Sequence, residues 1–174
     1  MKRLMLLRHC KSSWAAPGLA DRDRALEPRG KHDAVAMAET MLARDLTPDR
    51  ILCSPARRTR ETLALLQERI HCDCPIDFLE DLYSGPELDY RGIIANTGGD
   101  ADRLLVIGHN PRIHVTAMEL VGSGRRGEQE HLAAKYPTGA LAVIEFDAES
   151  WHGITEDSGR LTAFVRPHDV DREP

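Results

Sequence analysis

Three short polar clusters in this chain of 174 residues combine residue types able to handle a phosphoryl group: Arg8-His9, Ser54-Pro55-Ala56-Arg57-Arg58 and Gly108-His109-Asn110-Pro111. Guanidinium groups match phosphate oxygens bidentately and do not deprotonate. A neutral histidine can attack phosphorus and form a covalent intermediate, which divides one difficult displacement into two easier ones. A second histidine, when protonated, can donate to an equatorial oxygen as charge builds in the transition state. Each cluster also has a plainer reading. Arg8 and His9 could merely end a strand, His109 could cap a helix, and Arg57 and Arg58 could form a solvated helix face. The conjunction of all three favours a site for a tetrahedral dianion.

Elements of regular structure must bring these clusters together. Leu4-Met5-Leu6-Leu7, Ile51-Leu52-Cys53 and Leu104-Leu105-Val106-Ile107 are short apolar runs that suit strands buried on both faces. Ala34, Met37, Ala38 and Met41 recur at helical spacing behind the breaker Pro28-Arg29-Gly30. Leu63, Leu66 and Ile70 form a second stripe, and Ile113, Ala117, Leu120 and Val121 a third. Ser54 and Asn110 are expected as helix caps, with Pro55 and Pro111 at the first helical position. Residues 140–146 and 161–165 read as two late strands. Residues 122–135 are expected to be an exposed loop, and 167–174 a loosely held tail. The order β-α-β-α-β-α-β-β predicts one α/β domain over residues 1–174. Its architecture is three-layer α/β/α, with a mostly parallel sheet and helices on both faces. Ligands in such sheets sit at the carboxyl ends of strands, which is where all three clusters fall. Helix N-termini would add positive potential at the same edge.

The formal net charge of -5 argues against a nucleic-acid or anionic-membrane partner. No apolar run approaches transmembrane length, and charges interrupt the N-terminal stretch too early for a signal peptide. A cytosolic protein is expected, with Cys10, Cys53, Cys72 and Cys74 reduced and no structural disulfide. His71-Cys72-Asp73-Cys74 has metal-ligating residue types but no second ligand pair. It reads as a loop ahead of a strand at Pro75, and no metal or cofactor is expected. A cysteine-phosphatase loop at His9-Cys10 would need an arginine six places after the cysteine, where Ala16 stands.

Leu7-Arg8-His9, the pattern Ser54-Pro55-x-x-Arg58-x-x-x-Thr62 and Gly108-His109 resemble the histidine phosphatase, or phosphoglycerate mutase-like, superfamily. The resemblance covers nearly the whole chain. It is strongest to the short SixA-type phosphohistidine phosphatases, in Arg8-His9-x-Lys11-Ser12-Ser13-Trp14, in Asp23-Arg24-x-Leu26 before Arg29-Gly30, in Gly108-His109-Asn110-Pro111 and in Tyr136-Pro137-Thr138. It implies a phosphoglycerate mutase-like fold, His9 as phosphoryl acceptor, and Arg8, Arg58 and His109 around the phosphoryl group; Arg57 is left out. The general acid implied by the larger members' Leu-x-Glu pattern falls on Asp81, with Glu80 the alternative. Two positions depart from the family: Cys10 replaces the usual small residue, and Ala15 replaces an asparagine of the mutases. The second departure, with the short chain, favours a phosphatase over a mutase. The implied partner is a phosphorylated substrate. A phosphohistidine protein, a sugar phosphate and a small phosphoester all fit an arginine-lined pocket, and a non-catalytic module that binds phospho-ligands is the competing class.

Overall fold

A computed structural model describes residues 1–14 and 16–170. In chain order the elements are β1 (Lys2–Arg8), α1 (Pro28–Ala43), β2 (Arg50–Cys53), α2 (Arg57–Gln67), β3 (Ile76–Phe78), α3 (Arg91–Thr97), β4 (Arg103–Gly108), α4 (Arg112–Leu120), β5 (Val121–Gly124), α5 (Arg126–Ala134), β6 (Leu141–Phe146), β7 (Gly159–Val165) and α6 (Pro167–Val170). The strands form one sheet in the order β3-β2-β4-β1-β6-β7-β5. β1 pairs in parallel with β4, and β2 in parallel with β4 and β3. β5 and β7 are also parallel, whereas β6 runs antiparallel to both β1 and β7. The fold is three-layer α/β/α, as in the phosphoglycerate mutase-like architecture.

The apolar runs explain the layering. Successive strand residues point to opposite faces, so an unbroken apolar strand must be covered on both. Leu4 and Leu6 of β1 pack with Ile94 of α3, Ile113, Ala117 and Leu120 of α4, and Leu132 of α5. Met5 and Leu7 face the other way, onto Met37, Ala38 and Met41 of α1 and Leu63 and Leu66 of α2. β1 is therefore central, and its last residue, Arg8, lies beside Gly108 at the end of β4. Cys53, at the end of β2, lies beside Ile107. The register alone brings the ends of β1, β2 and β4 to one edge.

Several expectations are corrected. Cys72 and Cys74 are joined as a disulfide with Cα atoms 5.3 Å apart, where reduced thiols were expected. The loop ahead of β3 folds back enough for these two residues, separated only by Asp73, to pair. Residues 122–135 are not a loop. Val121–Gly124 adds a strand alongside β7, and Arg126–Ala134 is a helix. The strand is glycine-rich because it runs tight against neighbouring backbone, and the helix buries only Leu132, so neither shows an apolar pattern. Val121 accordingly belongs to β5 and not to α4. The seven-residue helix α3, with Ile94 buried, was also unforeseen. Neither Ser54 nor Asn110 caps a helix. α2 starts behind Ala56 and α4 behind Pro111, because both polar side chains are taken up in the site. Residues 167–170 of the expected tail are helical; 171–174 and Ala15 lie outside the described residues. Among the described residues no helix is long and apolar enough to cross a membrane.

Candidate active site

A cavity of about 450 Å³ opens at the shared edge of β1, β2 and β4, lined by Arg8, His9, Arg58 and His109 together with rim residues. Its geometry follows from the strand register. The His9 N–H donates to the Gly108 carbonyl at 3.1 Å, so His9, just beyond β1, stays paired with the last residue of β4. The rings of His9 and His109 lie 5.3 Å apart between centres. Gly108 is required here, since a Cβ would come within 2.6 Å of the Tyr90 ring. That ring in turn positions His109: its hydroxyl accepts the His109 N–H at 3.0 Å and donates to the Leu82 carbonyl at 2.9 Å.

The hydrogen bonds assign a tautomer to each imidazole. His9 Nδ1 is 2.8 Å from the Cys10 carbonyl, which can only accept, so the proton sits on Nδ1 and the Nε2 lone pair is free. His109 Nδ1 faces Arg58 at 3.4 Å, and Arg58 can only donate. The His109 proton is therefore on Nε2, directed at Ser54 Oγ 2.8 Å away. Burial, more than anything else, disfavours a charge on either ring; each also feels Arg58 and Arg8, and His9 feels His109. Both are pushed down from 6.5 to about 3, although Asp21 opposes the shift at His109. Both rings are neutral near pH 7.

Arg58 is held from behind. Its two terminal nitrogens donate to the Asp21 carbonyl at 2.9 Å and to Asp21 Oδ2 at 3.2 Å. Tyr83 donates to the same Oδ2 at 2.7 Å, and Arg24 to Oδ1 at 2.9 Å. The Tyr83 hydroxyl, with Arg24 and Arg58, holds the Asp21 carboxyl down at about 2. Arg8 donates to the Tyr136 carbonyl at 3.0 Å, and its buried Nε has no partner. Burial and the neighbouring Arg58 lower the Arg8 guanidinium from its ordinary value. Thr62 ties α2 to the start of the loop after β1: its hydroxyl accepts the Cys10 N–H at 3.1 Å. The Cys10 thiol is fully buried, and burial foremost, with Asp33 adding, pushes it up to about 12. It is no nucleophile.

The structure thus brings together His9, His109, Arg8 and Arg58. It does not bring the candidate acids to them. Asp81 and Glu80 line a separate groove with Phe78, Asp89 and Arg91. Glu80 is paired there with Arg22. Both residues sit in a single helical turn, Glu80–Leu82, and neither lines the cavity of His9 and His109. Sequence reasoning missed Asp21, Tyr83 and Tyr90. Asp21 stands two places before the quoted Asp23-Arg24, so that motif was the available signal; nothing local marks the two tyrosines.

The profile of the histidine phosphatase superfamily (branch 1) matches residues 4–84. An uncharacterized protein of Mycobacterium leprae is 31% identical over 166 residues, spanning 92% of this chain and 99% of that one. This chain belongs to the histidine phosphatase superfamily. Among solved structures, an Agrobacterium tumefaciens protein provisionally named phosphohistidine phosphatase SixA superposes with a TM-score of 0.80 at 31% identity, covering 95% of this chain and 97% of that one. A similarly named protein of Nakamurella multipartitia gives 0.81 at 27% identity, over 95% and 96% of the two chains.

Proposed function

We propose that this protein hydrolyses phosphoryl groups through a covalent phosphohistidine on His9, without a metal, and that its substrate is a phosphohistidine carried by another protein. The observation that carries the reading is the state of His9. Its Nδ1 proton is committed to the Cys10 carbonyl, which leaves a free Nε2 lone pair on a neutral ring beside Arg8 and Arg58. Nε2 attacks phosphorus, the bond to the leaving group breaks, and water later cleaves the new N–P bond to release phosphate and restore His9. Arg8 and Arg58 meet the non-bridging oxygens. His109 is neutral in the free protein. An incoming dianion favours its protonation, after which it donates to an equatorial oxygen.

The leaving group selects the substrate class. Asp81 faces another groove, and Asp21, tied to Arg58, stays ionised. A leaving imidazole needs less protonation by a strong acid than an alkoxide does, so a phosphorylated histidine suits this acid-poor setting. The names of the SixA-like neighbours point the same way. The test is a substrate panel of a phosphohistidine peptide, an aryl phosphate, a sugar phosphate and a phosphoserine peptide, run with wild type and His9→Ala. The phosphohistidine peptide is expected to give the highest kcat/KM, and folded His9→Ala to lose turnover of every substrate. Turnover by His9→Ala near the wild-type rate would end the nucleophile assignment, and binding without any wild-type turnover would favour a non-catalytic module.

A further inference from the structure

The wall of the cavity holds a side chain that phosphoryl transfer does not use. Trp14 lines it together with the phosphoryl-binding residues, yet is 88% exposed. The other tryptophan, Trp151, is 1% exposed and belongs to the core. Among the described residues other large apolar side chains stand in the open, such as Phe78, Leu88 and Met118, but none of these lines this cavity. The two residues that lead into Trp14 are anchored. Ser12 forms a bridge with Leu26, and the Ser13 N–H donates to the Ala25 carbonyl at 2.9 Å. Arg24 donates to the Ser13 carbonyl at 2.8 Å and to the Ser12 hydroxyl at 3.0 Å. An aromatic face left unpacked at the mouth of a site, directly after an anchored stretch, is available to a flat ligand group.

The cavity is also larger than the phosphoryl group requires. At about 450 Å³ it falls in the range that holds a small ligand, and a phosphoryl group is only a handful of atoms. Beyond His9, His109, Arg8 and Arg58 the cavity is lined by Lys11, Ser12, Trp14, Arg24, Asn110 and Thr138, which leaves room for what a phosphoryl group is attached to. Resting on the reading of the site given above, we infer that Trp14 is a specificity residue whose indole face stacks on the imidazole ring of a phosphohistidine substrate. Stacking orients the ring so that its departing nitrogen lies in line with His9 Nε2. Ring-free N-phosphates lack this contact, and aliphatic phosphoesters lack both the ring and the good leaving group.

Two readouts test the inference. The first is the ratio of kcat/KM for a phosphohistidine peptide to that for phosphoramidate, which has the same P–N bond and no ring. Trp14→Ala is expected to lower this ratio by about two- to tenfold, the usual worth of an aromatic pair, and Trp14→Phe to keep most of it. The second is tryptophan emission in the His9→Ala protein, expected to bind without turnover; buried Trp151 serves as internal reference, and a Trp14→Phe, His9→Ala double variant as control. Saturable quenching of Trp14 by the phosphohistidine peptide is expected, with little from phosphoramidate or a phosphoserine peptide. A ratio unchanged in Trp14→Ala, or equal quenching by ring-free ligands or a sugar phosphate, overturns the inference. Selective quenching by the peptide with no turnover in wild type overturns only the assigned hydrolysis and leaves the stacking contact standing.

Discussion

Acidification from about pH 7.5 to about pH 5 should weaken the fold, and the loss should trace to two side chains. His9 and His109 are buried and held neutral, each pushed down to about 3. In the unfolded chain they return to an ordinary value near 6.5. As pH falls below that value the unfolded state takes up protons that the native state refuses, so stability falls with pH and levels off only near the native value. pH 5 lies about one and a half units below the ordinary value and well above the native one. Each ring therefore costs about 2 kcal/mol at pH 5, and the pair about 4 kcal/mol, because both native values lie well below 5. That is a large share of a typical 5–15 kcal/mol. Asp21 does not enter this window, since its contribution is present above its ordinary 3.8 and is lost only as pH falls toward its native value of about 2. The assay is urea denaturation across this pH range for wild type, His9→Asn and His109→Asn. Each variant should remove about 1.0–1.3 kcal/mol per pH unit from the slope between about pH 4 and 6. A wild-type stability that stays flat from about pH 7.5 to 5, or variants that keep the full slope, would refute the neutral, buried assignment. The same neutrality puts the acid limb of kcat/KM below the ordinary histidine value.

Three further outcomes follow from the site. Activity should survive exhaustive chelation, since the proposed mechanism meets the phosphoryl charge with arginines and a histidine; loss restored by Mg²⁺ or Zn²⁺ would contradict this. Phosphoglycerate isomerisation should be far slower than phosphate release, given Ala15 at the mutase asparagine position, and comparable rates in a coupled assay would count against a phosphatase. Tyr90→Phe should cost about 1–3 kcal/mol and lower kcat, because the His109 N–H and the Leu82 carbonyl lose their shared buried partner; unchanged denaturation and kinetics would show that Tyr90 does not hold His109.

What could be read from the sequence was whatever is local. Leu4–Leu7, Ile51–Cys53 and Leu104–Ile107 are apolar runs that stop abruptly at polar groups, and each stop marks a strand end at the site. Parallel pairing then does the rest, since Arg8 falls beside Gly108. The elements that escaped notice lack such patterns. α5 buries one leucine, and β5 is mostly glycine and serine. The support of the site escaped for another reason. Asp21 reaches Arg58 across 37 residues, and Tyr90 reaches His109 across 19. Such contacts exist only once the chain is folded. Ser54 and Asn110 have ordinary capping side chains and were read so, but the fold commits them to His109 and to the Tyr136 carbonyl. The disulfide at Cys72–Cys74 escaped a reading made from compartment alone, which took no account of how close the loop holds the two residues, with Cα atoms 5.3 Å apart.

The central claim is that His9 Nε2 takes the phosphoryl group. The most direct measurement is rapid acid-free quenching of the wild-type protein with a phosphohistidine peptide or an aryl phosphate during turnover, followed by intact-mass and peptide mapping under alkaline conditions. The account predicts one added phosphoryl group, alkali-stable and acid-labile, on His9 at Nε2. It also predicts that the adduct forms and decays fast enough to carry the steady-state rate, and that it is absent from His9→Ala. A phosphoryl group on any other residue, or an adduct on His9 that decays more slowly than turnover, would contradict it.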